Sequence, residues 1–114
     1  MAGKSRSKGK RGELEVAQLL RAHGIAAARR GQQFSGEPGN PDVMGLIGVH
    51  IECKRCEKLP LWPALEQARR EALEGDLATV WHRANGRPWI VLLTAEDFLA
   101  LYRASFAQAA PKGD

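Results

Sequence analysis

Apolar residues recur along this chain with two different periods, one typical of helices and one typical of strands. Over residues 11–23 they follow the three- and four-residue spacing of a helix, and Gly24 comes next as a natural C-terminal cap. Shorter apolar segments then predict strands over residues 25–30, 41–47 and 49–55. The segment between residues 31 and 40 is rich in glycine and contains a proline, which predicts a loop.

The second half of the chain repeats this alternation of helix and strand signals. Pro63 suits the first turn of a helix that begins near Leu61, and Gly75 is placed to end it. Residues 77–83 and 89–93 predict two strands joined at the turn dipeptide Asn85-Gly86. Thr94, with an acidic residue three positions later, predicts the cap of a last amphipathic helix. The predicted order of elements is therefore αβββαββα.

The length of 114 residues predicts one domain, spanning residues 11–110, with at most one active site. Residues 1–10 show no apolar periodicity and predict a flexible tail. The chain has a formal net charge of +4 and a pI near 9.4, which favours a polyanionic partner such as DNA. Residues 1–11 contain no acidic residue and five basic ones, which are candidate DNA contacts: Lys4, Arg6, Lys8, Lys10 and Arg11.

No apolar run reaches the roughly 20 residues that span a bilayer, and no signal-peptide core follows the basic start. We therefore expect no membrane partner and a cytoplasmic location, in the host cytoplasm if the chain is phage-encoded. Cys53 and Cys56 are expected to be free thiols. Their C-x-x-C spacing does not favour zinc, because on a continuous strand the two side chains point to opposite faces.

A candidate catalytic group begins with Pro41-Asp42 and continues ten residues later with Glu52 and Lys54. Strand alternation places Glu52 and Lys54 on one face. If a three-residue loop ends with Gly48 at positive φ, Asp42 lies opposite Glu52 on that same face. Two carboxylates can bind Mg²⁺ while the lysine stabilises developing negative charge, which suits phosphodiester hydrolysis. The alternative for Glu52 and Lys54 alone is a surface salt bridge.

Glu13 is predicted to join this group from the first helix. On a helical wheel it lies at the centre of the apolar stripe formed by Val16, Ala17 and Leu20, whereas Glu15 points away. A carboxylate on an inward stripe is costly unless it is paired or binds a metal. The alternative is that Glu13 turns toward water in the first turn and interacts with the helix dipole.

This ordered set of residues resembles the PD-(D/E)XK nuclease core, and it looks most like that of archaeal-type and phage-borne Holliday junction resolvases. The resemblance covers residues 10 to about 102. It implies an α/β fold in which helices flank a mixed central β-sheet. It also implies a metal-dependent active site made of Glu13, Asp42, Glu52 and Lys54, with the three carboxylates as ligands of Mg²⁺, for which Mn²⁺ is expected to substitute.

The same resemblance implies a homodimer that cuts a four-way DNA junction symmetrically, with the sheet edge or the last helix as the dimer contact. It makes Ser35 a candidate phosphate contact in the loop, although a turn residue beside Gly36 is an equal alternative. A nicking, repair or restriction-type nuclease on duplex or flap DNA shares the same motif. A non-catalytic DNA-binding module is the alternative outside the enzyme class.

Four further residues have less specific expectations. Arg29 and Arg30 precede the glycine-rich loop and are candidate phosphate contacts, with a solvated charge pair as the alternative. His50 shares strand parity with Glu52 and is a candidate DNA contact at the rim of the site. Gln67 lies away from the predicted packed side of the second helix, which predicts that it is exposed to solvent.

Overall fold

The computed structural model describes residues 2–31 and 41–106, with side chains from Lys8 onward, so Ser35 lies outside the described residues. The described elements occur in the predicted order αβββαββα. They are α1 (Ala2–Ala22), β1 (Arg29–Arg30), β2 (Val43–Met44), β3 (Val49–Arg55), α2 (Leu61–Glu71), β4 (Leu77–Arg83), β5 (Ile90–Leu92) and α3 (Ala95–Phe106).

The five strands form one mixed sheet in the order β1-β2-β3-β4-β5. The β1–β2, β2–β3 and β4–β5 pairs are antiparallel, whereas β3 and β4 are parallel. A parallel pair needs a crossover connection, and α2 provides it between β3 and β4. The expectation of an α/β fold with a mixed sheet and flanking helices is confirmed.

The first hydrophobic core lies between α1 and one face of the sheet. Val16, Ala17 and Leu20 are buried on α1 and pack with Val43 of β2 and Ile51 of β3. These α1 positions have the i, i+1 and i+4 spacing of one helical face, so the predicted apolar stripe is the packed one. Burial of such a set removes apolar surface from water and holds α1 across β2 and β3.

The second core lies on the opposite face of the sheet. Ala64, Leu65 and Ala68 of α2 pack against Ala78 and Val80 of β4. The parallel pair β3 and β4 is therefore covered on both faces, as parallel strands usually are. Because α2 also packs against β3, the side of β3 that carries the predicted catalytic residues faces a helix.

Several predicted local features are confirmed. Gly86 has a φ of +73° in the turn between β4 and β5, where the Asn-Gly dipeptide predicted a turn. The Asp97 backbone N–H donates to Thr94 Oγ1 at 3.1 Å, which is the predicted cap of α3. No helix in the described part of the chain is long and apolar enough to cross a membrane.

Two predicted boundaries are wrong. Helix α1 begins at Ala2 rather than near Arg11, because no proline interrupts residues 2–10 and the packed part of the helix can propagate through them. Flexibility of this basic segment stays a prediction. The first strand is reduced to β1, because the chain turns before it: the Ala28 N–H donates to the Ile25 carbonyl at 3.1 Å.

Candidate active site

The β2–β3 hairpin brings Asp42 beside the part of β3 that contains Glu52. Val43 pairs with Ile51 in antiparallel register, and the Asp42 N–H donates to the Ile51 carbonyl at 2.9 Å. The loop follows the predicted form, since Gly48 has a φ of +82°. Asp42 precedes the first residue of β2, so the strand register does not pair it with Glu52, and their common face stays a prediction.

The Asp42 carboxylate is held by the backbone of β3. The Cys53 N–H donates to Asp42 Oδ2 at 2.8 Å. A carboxylate that accepts from a backbone N–H has a defined position, because the donor belongs to a paired strand rather than to a mobile side chain. The hydrogen bond therefore fixes the Asp42 side chain beside the residue that follows Glu52.

Glu13 is buried, as the inward stripe of α1 predicted. Arg30 Nε donates to Glu13 Oε1 at 2.9 Å, so the carboxylate is paired across to β1. Burial raises the pKa of Glu13, and the negative charge of Asp42 raises it further, while the bond to Arg30 opposes both. The predicted phosphate contact Arg30 thus has a partner within the site.

Glu52 lies deeper in the protein than Asp42. Only about 2% of its surface is exposed, and its Oε1 lies 2.8 Å from His50 Nε2 in a hydrogen bond. Burial raises the pKa of Glu52 to about 7, and the negative charges of Asp42 and Glu71 act in the same direction. His50 is equally buried, so its predicted place at the rim of the site is wrong.

Lys54 is positioned by Gln67 of α2. The Lys54 Nζ donates to Gln67 Oε1 at 3.2 Å, and Gln67 Nε2 donates to Glu71 Oε1 at 3.4 Å. Glu71 in turn shares a hydrogen bond with Glu52, which lowers the pKa of Glu71. A continuous polar chain therefore joins Lys54 to Glu52 through two residues of α2.

The predicted solvent exposure of Gln67 is wrong, and Glu71 was not predicted as part of the site. The predicted packed side of α2 included Leu73, but this side chain is 57% exposed and lies beyond the end of the helix. The side that faces the sheet includes Ala64, Gln67 and Glu71, at i, i+3 and i+7. The helical spacing of Gln67 and Glu71 from Ala64 was the feature of the sequence that indicated this inner face.

Of the three predicted carboxylate ligands, Asp42 is near enough to the other two to affect their pKa values. The negative charge of Asp42 raises the pKa of both Glu13 and Glu52. Within the described residues, the group whose ligand atoms all lie within 4.8 Å of one another is instead His50, Glu52 and Glu71. Glu52 is the member common to both sets.

The predicted DNA-binding cations have several different surroundings. Lys8 pairs with Glu57 at 3.6 Å, while Lys10, Arg11 and Arg29 are exposed. Lys4 and Arg6 belong to the backbone of α1, and nothing further is described for their side chains. A cavity of about 280 Å³ is lined by three cations, one acid and one amide: Lys8, Arg11, Arg55, Glu15 and Asn85.

The face of α1 that carries Glu15 also contacts the rest of the protein. Glu15 was predicted to point away from the structure, but its Oε1 accepts from Arg83 Nη1 at 2.6 Å and from Trp89 Nε1 at 3.1 Å. This pairing ties α1 to the β4–β5 hairpin. Both cysteines are free, as predicted, and burial raises the pKa of the Cys53 thiol so that it stays protonated.

Comparison with known proteins adds no relative to this geometry: no family model, no curated protein and no solved structure matches the chain. The resemblance to the PD-(D/E)XK nucleases therefore stays a prediction from the ordered set of residues.

The raised pKa of Glu52 predicts that stability depends on pH. The folded chain holds a proton on Glu52 at pH values where the unfolded chain has lost it. This contribution is complete below the ordinary value of 4.5 and is lost as the pH rises through about 7. Urea unfolding at pH 5 and pH 8 should therefore show a loss of stability on the order of 1 kcal/mol that Glu52→Gln lacks. An equal loss in both proteins would show that Glu52 is not the group that causes the pH dependence.

Proposed function

We propose that this protein is a metal-dependent DNA endonuclease. The observation that carries the proposal is the hairpin, in which Asp42 bonds to the backbone of Ile51 and of Cys53, on either side of Glu52, while Lys54 lies two residues beyond Glu52 on β3. A surface salt bridge does not require this arrangement, since Glu52 is buried and Lys54 bonds to Gln67 instead. The buried carboxylate of Glu13 adds a third acidic group from α1.

The donor atoms suit Mg²⁺, which prefers oxygen ligands and which Mn²⁺ often replaces. Asp42 and Glu52 would hold the ion, with Glu13 holding a second ion or an ordered water. The effect of Asp42 on the pKa of its two neighbours shows that the carboxylates repel each other, and a divalent cation relieves such repulsion. When bound, Mg²⁺ supplies polarisation of the phosphate and activation of the attacking water.

Lys54 has a separate role in the proposed reaction. Its ammonium group carries three donors, one of which is directed to Gln67 Oε1. The remaining donors are available to a phosphate oxygen, where they stabilise the negative charge that develops during cleavage. Gln67 is a positioning residue, because it acts through Lys54.

The charge of the protein supports a nucleic-acid substrate. The formal net charge is +4, and Lys10 and Arg11 are exposed on the same helix as Glu13. Exposed cations near an active site attract the phosphate backbone and release its counterions. The basic cavity lined by Lys8, Arg11 and Arg55 adds a place where a phosphate group can bind.

We further propose that the protein acts as a homodimer that contacts its second copy through α3. None of the residues of α3 is buried, and this helix exposes Phe98, Leu99, Leu101, Tyr102 and Phe106. Large apolar side chains gathered on one exposed helix are typical of a protein interface. A dimer of active sites suits a substrate with two strands to cut.

A charge on α3 should separate the proposed dimer. Tyr102→Glu places a carboxylate among the exposed apolar side chains, where its desolvation is costly. We expect the dimer dissociation constant in sedimentation to rise by at least about tenfold. The matched control is Ile47→Glu in the β2–β3 loop, which is 98% exposed and should leave dimerisation unchanged. Equal sedimentation of wild type and Tyr102→Glu would remove α3 from the interface.

The decisive test of the function uses purified protein, Mg²⁺ and labelled DNA of several structures. A four-way junction is compared with matched duplex, flap and single-stranded DNA. Paired symmetric cuts in the junction would support a Holliday junction resolvase. Equal cutting of plain duplex would instead favour a nicking, repair or restriction-type nuclease. Binding of DNA without cleavage by folded protein would reject the proposed enzyme in favour of a DNA-binding module.

A further inference from the structure

The group formed by His50, Glu52 and Glu71 lies on the side of β3 that faces α2. His50 and Glu52 are two residues apart on the strand and therefore share a face, while Glu71 is the last residue of α2. Each residue offers one ligand atom, and the three atoms lie within 4.8 Å of one another. Two of the three residues are buried at about 2% exposure, so the group is not an accidental cluster of surface acids.

The surroundings of this group favour a cation. The two carboxylates bond to each other, to His50 and to the amide of Gln67, so none of these partners carries a permanent positive charge. The C-terminal end of α2 adds the negative end of a helix dipole at Glu71. Burial of the Glu52 carboxylate beside the partly exposed Glu71 and a helix C-terminus is costly, and the positive charge of Arg70 acts on Glu71 rather than on Glu52.

We propose that His50, Glu52 and Glu71 form a binding site for a divalent transition-metal ion, separate from the proposed Mg²⁺ position at Asp42. The choice of ion follows from the ligands. An imidazole nitrogen with two carboxylate oxygens suits Zn²⁺ or Co²⁺, whereas Mg²⁺ and Ca²⁺ prefer oxygen alone. Water completes the coordination from the Glu71 side, which is the less buried side of the group.

The site has a consequence for the proposed nuclease because Glu52 belongs to both positions. An ion held by His50 and Glu71 competes with Mg²⁺ for the Glu52 carboxylate. Transition-metal binding would therefore reduce Mg²⁺-dependent cleavage. The binding itself does not depend on the proposed function, since neither His50 nor Glu71 is assigned a part in cleavage.

The test titrates metal-stripped wild-type protein with Co²⁺ and follows the visible absorption of the bound ion, with Zn²⁺ calorimetry as a second measurement. We expect one ion per chain and an affinity that falls by about tenfold or more in Glu71→Gln. His50→Gln should show the same loss and a change in the Co²⁺ spectrum. Because His50 is buried, circular dichroism of each variant accompanies the titration as a check of folding, and partly exposed Glu71 gives the primary result.

Two controls separate this site from its neighbours. Glu66→Gln changes an exposed acid of the same helix outside the group and should bind Co²⁺ as wild type does. Asp42→Asn should also retain Co²⁺ binding while losing any Mg²⁺-dependent cleavage. Co²⁺ binding is measured without DNA cleavage, so it tests this site even if the protein is not a nuclease. Wild-type protein that takes up no Co²⁺, or an unchanged affinity in folded Glu71→Gln, would overturn the proposed site.

Discussion

Asp42→Asn is expected to lower Mg²⁺-dependent cleavage by on the order of 10³-fold while leaving DNA binding nearly unchanged. The substitution keeps the size of the side chain and an oxygen that can accept from the Cys53 N–H. It removes the negative charge that the proposed Mg²⁺ site requires. Loss of several kcal/mol of transition-state stabilisation corresponds to that decrease in rate. Single-turnover cleavage and a gel-shift titration measure the two quantities.

The matched control for this prediction is Asp76→Asn. Asp76 lies in the turn between α2 and β4 next to the start of β3, whereas Asp42 bonds to Ile51 and Cys53 further along that strand. The control should cleave at the wild-type rate, which excludes a general effect of removing one carboxylate from a basic protein. Wild-type cleavage by Asp42→Asn would contradict the role of this residue in holding the metal.

The hairpin at the centre of the proposed site was predictable because strand geometry has few choices. A side-chain period of two and a loop of three residues determine which residues oppose each other. Gly48 supplies the positive φ that this loop needs, with a φ of +82°. These local rules bring Asp42 to the part of β3 that contains Glu52, so no knowledge of distant contacts was needed.

Glu13 was predictable for a similar reason, whereas its partner was not. The apolar stripe of Val16, Ala17 and Leu20 indicates which face of α1 is buried, and Glu13 lies on that face. The bond to Arg30 depends on how α1 crosses β1, which is a tertiary arrangement. Sequence periodicity describes one element at a time and does not give such crossings.

The contribution of α2 to the site was missed because the face of a short helix is easily misjudged. Counting Leu73 as packed rotated the predicted face away from Gln67 and Glu71. Leu73 lies past the end of the helix, where helical spacing no longer applies. The crossover from β3 to β4 places the true inner face of α2 over Glu52 and Lys54, and this follows only from the sheet order.

The two faces of β3 have different roles: one packs in a hydrophobic core, and the other carries residues of the proposed active site. Ile51 and Cys53 point toward α1 and its apolar core, while Glu52 and Lys54 point toward α2. Burial on the α2 side raises the pKa of Glu52, which the polar stripe of α2 partly compensates with hydrogen bonds. The polar residues of α2 therefore stabilise a buried charged strand that an apolar helix would not tolerate.

Lys54→Met is expected to lower the rate of cleavage at saturating DNA and Mg²⁺ by about 10²- to 10³-fold. Methionine keeps the unbranched shape of the side chain and removes the ammonium group. If Lys54 stabilises charge only in the transition state, the maximal rate falls while the affinities for DNA and Mg²⁺ change little. Rates measured over a range of DNA concentrations separate these two effects.

Two further variants distinguish the catalytic role of Lys54 from a structural one. Lys58→Met removes an exposed lysine that follows β3 and should retain wild-type cleavage. Gln67→Ala removes the acceptor that holds Lys54 Nζ and the donor to Glu71, but the ammonium group remains, so its loss of rate should be smaller than that of Lys54→Met. If Lys54→Met cleaved as fast as wild type, the hydrogen bond to Gln67 would have a structural role alone, and the proposed site would lose its stabilising cation.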